Sequence, residues 1–144
     1  MGRVSVLTNV LKANQEIAME NRRLFEREGT LVINLMSAPG AGKTSLLEAT
    51  LRGLESRYRI AMIEGDPTGL DSQRIRALGK RSHQITTGSV CHLDARMVAR
   101  ALAEFPVEGL DLLFIENVGN LICPASYDLG ESLRVVICCV AEGA

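Results

Sequence analysis

Ser37-Ala38-Pro39-Gly40-Ala41-Gly42-Lys43-Thr44 carries the spacing of a phosphate-binding loop, with Ser37 standing where the first glycine is usual. Gly40 and Gly42 let backbone N–H groups turn inward around phosphate oxygens with no side chain in the way. Lys43 is placed to neutralise β- and γ-phosphates, and the Thr44 hydroxyl to ligate Mg²⁺. Gly40, Ala41, Gly42, Lys43, Thr44 and Ser45 are the candidate phosphate-cradling residues. A helix opening at this point adds its N-terminal dipole.

Two acids complete the constellation. Glu116 ends a hydrophobic run, where an acid in such a site binds Mg²⁺ directly or through water. Asp66 ends another, in Glu64-Gly65-Asp66, and can hold Mg²⁺ or orient an attacking water. In parallel sheets these strand ends face the ligand. Lys43, Asp66 and Glu116 are therefore the candidate catalytic residues, and Thr44, Asp66 and Glu116 the candidate Mg²⁺ ligands. Gly119 completes an acid-x-x-Gly pattern whose backbone N–H can sense a γ-phosphate, which makes 116–123 a candidate switch segment.

A second chemistry sits beside the first. Cys91-His92 precedes a helix expected from Asp94, and Cys123 lies four residues beyond Gly119. Helix N-termini favour the thiolate, the form that binds metal. Two thiols and an imidazole suit Zn²⁺ or Ni²⁺ rather than Mg²⁺ or Ca²⁺. Three ligands leave a tetrahedral site one short, to be completed by water or by a second copy of the chain. His83 has no such company and reads as an exposed loop residue.

The elements that must position these groups follow from periodicity. Residues 9–28 read as an amphipathic helix, with Val10/Leu11, Ile17/Ala18 and Leu24/Phe25 recurring every seven residues, Arg22 paired with Glu26, and Gly29 as the stop. Strands are expected at Leu31–Met36, Arg59–Ile63, Leu110–Ile115 and Arg134–Val140. Helices are expected after Lys43 with Leu47, Leu51 and Leu54 on one face, briefly around Asp71–Leu78, and over Asp94–Glu104 with Ala95, Val98, Ala99 and Leu102 buried. The alternation predicts an α/β fold, a mostly parallel sheet covered by helices, with residues 1–29 as a leading helix and 30–144 as the domain proper. Val135 to Val140 is apolar on both faces, as an interior strand would be, with Cys138 and Cys139 pointing to opposite sides as buried thiols. Nothing after it supplies cover, so the sheet is expected to be incomplete at its C-terminal end.

Composition narrows the partners. The 144 residues suffice for one domain with a core. Sixteen basic against 17 acidic residues give a net charge of −1, without the footprint of a duplex nucleic-acid binder, and five aromatics make no stacking platform for single strands. The longest apolar run is far too short to span a bilayer, and no secretory leader or lipidation signal is read at the N-terminus. A cytoplasmic protein with reduced cysteines is expected.

Four blocks carry a resemblance. Asn34 to Thr44, Ile63-Glu64-Gly65-Asp66, Thr87-Gly88-Ser89-Val90-Cys91-His92-Leu93-Asp94-Ala95, and Glu116-Asn117-Val118-Gly119-Asn120-Leu121-Ile122-Cys123-Pro124 occur in this order. Together they resemble the HypB family, GTPases that help load nickel into [NiFe]-hydrogenases, and the likeness runs from the leading helix to the last residue. The Cys-His-Leu-Asp-Ala and Glu-Asn-Val-Gly-Asn-Leu-x-Cys-Pro blocks separate this family from the related urease GTPases.

The resemblance implies a P-loop NTPase fold of the nickel-chaperone GTPase type, using GTP and Mg²⁺, hydrolysing GTP to GDP and phosphate, and forming a homodimer when nucleotide is bound. It implies that Cys91, His92 and Cys123 bind Ni²⁺ or Zn²⁺ at the dimer interface. It also implies two partners, a HypA-type nickel chaperone and the hydrogenase large-subunit precursor. Two features of the family are not found in these residues: an N-terminal cysteine motif or histidine-rich tract, and the Asn-Lys-x-Asp guanine-reading motif, which in the family lies beyond the segment matching Ala141 to Ala144.

The leading expectation is a regulatory GTPase in which nucleotide state moves Cys123 relative to Cys91 and His92. A metal-binding module or non-functional fragment with a vestigial phosphate loop is the alternative, and an ATP-using phosphotransferase ranks last, since no lid or second-substrate site is visible.

Overall fold

The computed structural model describes residues 3–66 and 81–140. Helix α1 (Arg3–Glu28) leads into β1 (Leu31–Ser37), α2 (Lys43–Leu54), β2 (Ile60–Asp66), β3 (Arg81–Thr86), α3 (Ala95–Glu104), β4 (Leu112–Glu116), a 3₁₀ turn (Cys123–Ser126) and β5 (Leu133–Ile137). The strands form one parallel sheet in the order β3-β2-β4-β1-β5. The expected helix around Asp71–Leu78 lies outside the described residues.

Alternation along the strands divides the core between the two faces of the sheet. Val32, Ala61, Ile63, Leu113 and Ile115 point to one face, where Phe25 of α1 and Val98, Ala101 and Leu102 of α3 cover them. Leu35, Ile60, Met62 and Phe114 point to the other, against Leu47 and Leu51 of α2. Register brings the working ends of three strands together: Glu116 of β4 is paired with Leu35 of β1 on one side and Glu64 of β2 on the other.

Several expectations need correction. The leading helix begins at Arg3 rather than residue 9, because no Pro or Gly between Arg3 and Glu28 breaks it. Its first turns stand out from the fold: Val6, Leu7 and Val10 are exposed, and burial begins in earnest at Asn14 and Ala18. Arg22 pairs with Asp128 rather than with Glu26. A strand missed in the sequence, β3, contains His83, which is half-buried, stacked on Phe105 and 3.8 Å from Glu104 rather than exposed in a loop. Its sequence, Arg-Ser-His-Gln-Ile-Thr, is polar because an edge strand needs no continuous apolar run. The last strand ends at Ile137 and lies at the other edge of the sheet. Cys138 and Cys139 therefore lie beyond it, Cys138 exposed and Cys139 half-buried, instead of facing opposite sides of an interior strand.

Candidate functional site

The loop from Ser37 to Thr44 turns over the C-terminal ends of β1 and β4. Gly40 and Gly42 have φ of 74° and 89°, backbone that a side chain would strain, and Gly42 caps the N-terminus of α2. This loop and the strand ends enclose a pocket of about 530 Å³, lined by residues 37–45 with Asp66, Glu116 and Gly119, which unites every phosphate-site residue expected from the sequence.

Lys43 and Thr44 both reach the end of β4. Lys43 Nζ donates to the Asn117 carbonyl at 2.6 Å and lies 3.7 Å from Glu116 Oε1. Thr44 Oγ1 donates to the same Glu116 oxygen at 3.2 Å. Glu64, to which the sequence reading gave no role, also lines the pocket. A period-two count back from Asp66 along the strand could have found it. Glu64, Asp66 and Glu116 are 2%, 7% and 3% exposed. Three buried acids line the pocket that Lys43 also lines, and a divalent cation held by oxygen donors fits such a lining. Gly119 closes the rim: a Cβ there would come within 3.3 Å of the Pro39 α-carbon, so the 116–123 segment lies directly on the phosphate loop.

The same segment ends at the second constellation. The ligand atoms of Cys91, His92 and Cys123 lie within 4.8 Å of one another. Asp94 caps α3 through a hydrogen bond from the Met97 N–H, which fixes where Cys91 and His92 enter. Asn120 ties the two arms: its Nδ2 donates to the Cys91 carbonyl at 3.1 Å and its Oδ1 accepts from the Ile122 and Cys123 N–H groups. The His92 ring stacks on Tyr127 with centroids 4.0 Å apart.

The electrostatics of the pair differ from the expectation that the helix start ionises Cys91. The Cys91 thiol donates to Cys123 Sγ at 2.7 Å, and this bond raises Cys91 from its ordinary value. The same bond, with help from Asn120, lowers Cys123, so Cys123 is the first of the two thiols to ionise. Burial lowers His92, partly opposed by Asp94, and favours the neutral imidazole that ligates metals. Among the described residues His92 Nδ1 is buried without a hydrogen-bond partner. Two soft sulfurs, one inclined to ionise, beside a neutral imidazole with an unmet nitrogen fit a Zn²⁺ or Ni²⁺ ion.

A short path joins the two sites. The Asn117 side chain, fully buried, accepts from the Leu93 N–H at 3.1 Å and from the Val118 N–H, and donates to Asn34 Oδ1. Leu93 follows His92 directly and lays its side chain on Gly65, where a Cβ would meet it at 2.9 Å. Thus β2 and β4, which supply the pocket acids, also seat the Cys91–His92 arm. No spacing rule pointed to Asn117, Asn120 or Tyr127, whose partners are set by the tertiary fold.

Residues 31–140 match the family profile described as CobW/HypB/UreG, nucleotide-binding domain. The hydrogenase maturation factor HypB of Rhizobium leguminosarum bv. viciae is 50% identical over 141 residues, 97% of this chain and 47% of the relative. The crystal structure of the hydrogenase maturation factor HypB from Archaeoglobus fulgidus superposes with a TM-score of 0.77 at 42% identity, covering 88% of this chain and 62% of that one. That of HypB from Helicobacter pylori in complex with nickel gives 0.78 at 43% identity, covering 86% and 59%. The chain thus spans about half the length of the curated relatives it matches. No helix among the described residues is long and apolar enough to cross a membrane. By sequence profile, by identity and by fold, the chain belongs to the CobW/HypB/UreG family of nucleotide-binding domains, on its HypB branch.

Proposed function

We propose that this chain is the nucleotide- and metal-binding part of a GTPase that handles nickel for hydrogenase maturation. The observation that carries the reading is the 116–123 segment, which starts at the acid bonded to Thr44 and ends at Cys123 of the metal triad. Residues 40–45 cradle the phosphates, Lys43 takes up β- and γ-phosphate charge, and Thr44, Glu116 and Asp66 hold Mg²⁺. Bound Mg²⁺ supplies positive charge against the phosphate oxygens. Asp66 orients the water whose oxygen bonds to the γ-phosphorus as the bond to the bridging oxygen breaks, the water's proton passing to a phosphate oxygen, giving GDP and phosphate.

Cys91, His92 and Cys123 bind Ni²⁺ or Zn²⁺, with affinity set by the nucleotide through Gly119 on one path and Asn117–Leu93 on the other. The likeness to a HypB crystallised with nickel supports the metal. The partners are a second copy of the chain in the nucleotide-bound state, a HypA-type nickel chaperone and a hydrogenase large-subunit precursor, in the cytoplasm. The test is the Ni²⁺ affinity of the chain with Mg²⁺ and a non-hydrolysable GTP analogue, with GDP, and with no nucleotide. A change of at least about fivefold between states is expected, the usual size of such a coupling; equal affinity in all three overturns the reading.

A further inference from the structure

The two arms of the metal triad are far apart in the chain, and their direct links are superficial: the thiol–thiol bond, Asn120 on the Cys91 carbonyl, and the His92–Tyr127 stack. A second set of links lies beneath them, in α1. Asn14 Oδ1 accepts from the Ala95 N–H at 2.8 Å, just past the Cys91–His92 arm, and its Nδ2 donates to the Asp128 carbonyl at 2.8 Å, just past the Cys123 arm. Asn21 repeats the pattern two turns on. Its Nδ2 donates to the Ala95 carbonyl at 3.0 Å and to the Leu129 carbonyl at 3.1 Å. Each amide therefore holds one bond to each arm.

The surroundings are built for close approach. Arg22 clamps Asp128 with two bonds of 2.9 Å. Gly130 lies so near α1 that a Cβ would come within 2.6 Å of the Ala18 carbonyl. Asn14 and Asn21 are 8% and 4% exposed, in the middle of a helix where asparagine is a poor former and an apolar residue would pack as well. Packing alone does not call for an amide at both places; joining two backbone segments does.

We propose that Asn14 and Asn21 are positioning residues for the Cys91–His92–Cys123 centre, holding its two arms at the spacing an ion requires. The proposal rests on the reading of that triad as a metal centre. It makes the metal affinity a property of the leading helix as much as of the ligands, since any movement of α1 away from the domain loosens both arms together.

The experiment measures Zn²⁺ and Ni²⁺ affinity by chelator competition, and the Ni²⁺–thiolate charge-transfer band, on the whole chain. The proteins are the unaltered chain, Asn14→Ala, Asn21→Ala, and Leu47→Val as a control on the opposite face of the sheet, each held at a temperature where circular dichroism shows it folded. Should the alanine variants fail to fold, Asn14→Asp keeps the acceptor for Ala95 and the side-chain volume, and sets a second oxygen against the Asp128 carbonyl in place of the donor, which parts the two arms. A stoichiometric ion, one per chain or one shared by two chains, lost in Cys91→Ala, establishes the centre. The asparagine variants are expected to bind about tenfold more weakly with an altered charge-transfer band, the lower end of the loss when a group bonded directly to a metal ligand is removed, while Leu47→Val binds as the unaltered chain. Unchanged affinity in the asparagine variants, or equal weakening in the control, overturns the proposal. Absence of a bound ion in the unaltered chain overturns the metal-centre reading itself, and the proposal with it.

Discussion

Lys43 Nζ donates to the Asn117 carbonyl across 2.6 Å, so the phosphate loop is tied to the residue whose side chain holds Leu93 beside the metal arm. Lys43→Ala removes that tie along with the positive charge of the pocket. A charge-assisted hydrogen bond contributes about 1.5–3 kcal/mol, so affinity for labelled GTP with Mg²⁺ is expected to fall roughly 10–100-fold. Zn²⁺ affinity measured without nucleotide is expected to hold.

Gly119→Ala tests the contact between the switch segment and the phosphate loop. The added methyl meets the Pro39 backbone at 3.3 Å, and neither side is the free end of a flexible chain. Overpacking of this kind costs about 1–3 kcal/mol, and Mg²⁺–GTP affinity is expected to fall at least about fivefold in equilibrium titration. Affinity equal to that of the unaltered chain would show that 116–123 yields without resistance.

The unequal thiols predict unequal reactivity. Cys123, lowered by the bond from Cys91, ionises more readily than Cys91, which the same bond raises. In the chelator-treated chain near neutral pH, iodoacetamide is expected to modify Cys123 before Cys91, although Cys91 is the more exposed. Peptide mass spectrometry over a time course reads the order directly; Cys91 reacting first would reverse the assignment of the proton.

Asp128 gives a pH dependence. Partial burial raises it, but the Arg22 guanidinium and the Gly130 N–H outweigh this, and its carboxyl sits below the usual value. A carboxyl lower in the folded than in the unfolded chain stabilises the fold above the unfolded value, about 3.9, and that contribution is lost as pH falls through the folded value. Asp128→Asn should therefore lower the melting temperature at pH 7, with the difference from the unaltered chain shrinking below about pH 4. A difference that persists undiminished at low pH would mean the carboxylate charge is not what matters.

Much of this was legible in the residues. The phosphate loop, the acids at strand ends and the Cys–His–Cys set are local patterns, and the chain folds them where local patterns put them. β3 was hidden because an edge strand of half-buried polar residues has no periodicity to read. The register of β2 against β4, which aligns Glu64 with Glu116, is set only when the sheet assembles. Asn14, Asn21 and Asn117 were invisible for the same reason. Apart from Val118 beside Asn117, their partners lie 24 to 114 residues away in the chain, and an asparagine inside an apolar stripe looks like a blemish until both ends of its amide are accounted for.

The strand order also dictates how such a chain can come off the ribosome. β1 is flanked by β4 and β5, the last strands to be made among those described. Until residue 116 has been synthesised and cleared the exit tunnel, Leu31 to Met36 has no native neighbour in the sheet, and Val32, Leu35 and Met36 stay uncovered at their backbone edges. Folding here cannot proceed piecewise from the N-terminus; the nascent chain must wait, holding an apolar strand open, and pairing across so long a stretch is slow and prone to aggregation. Both ligand sites are built on that late pairing of β1 with β4, so neither can form before it.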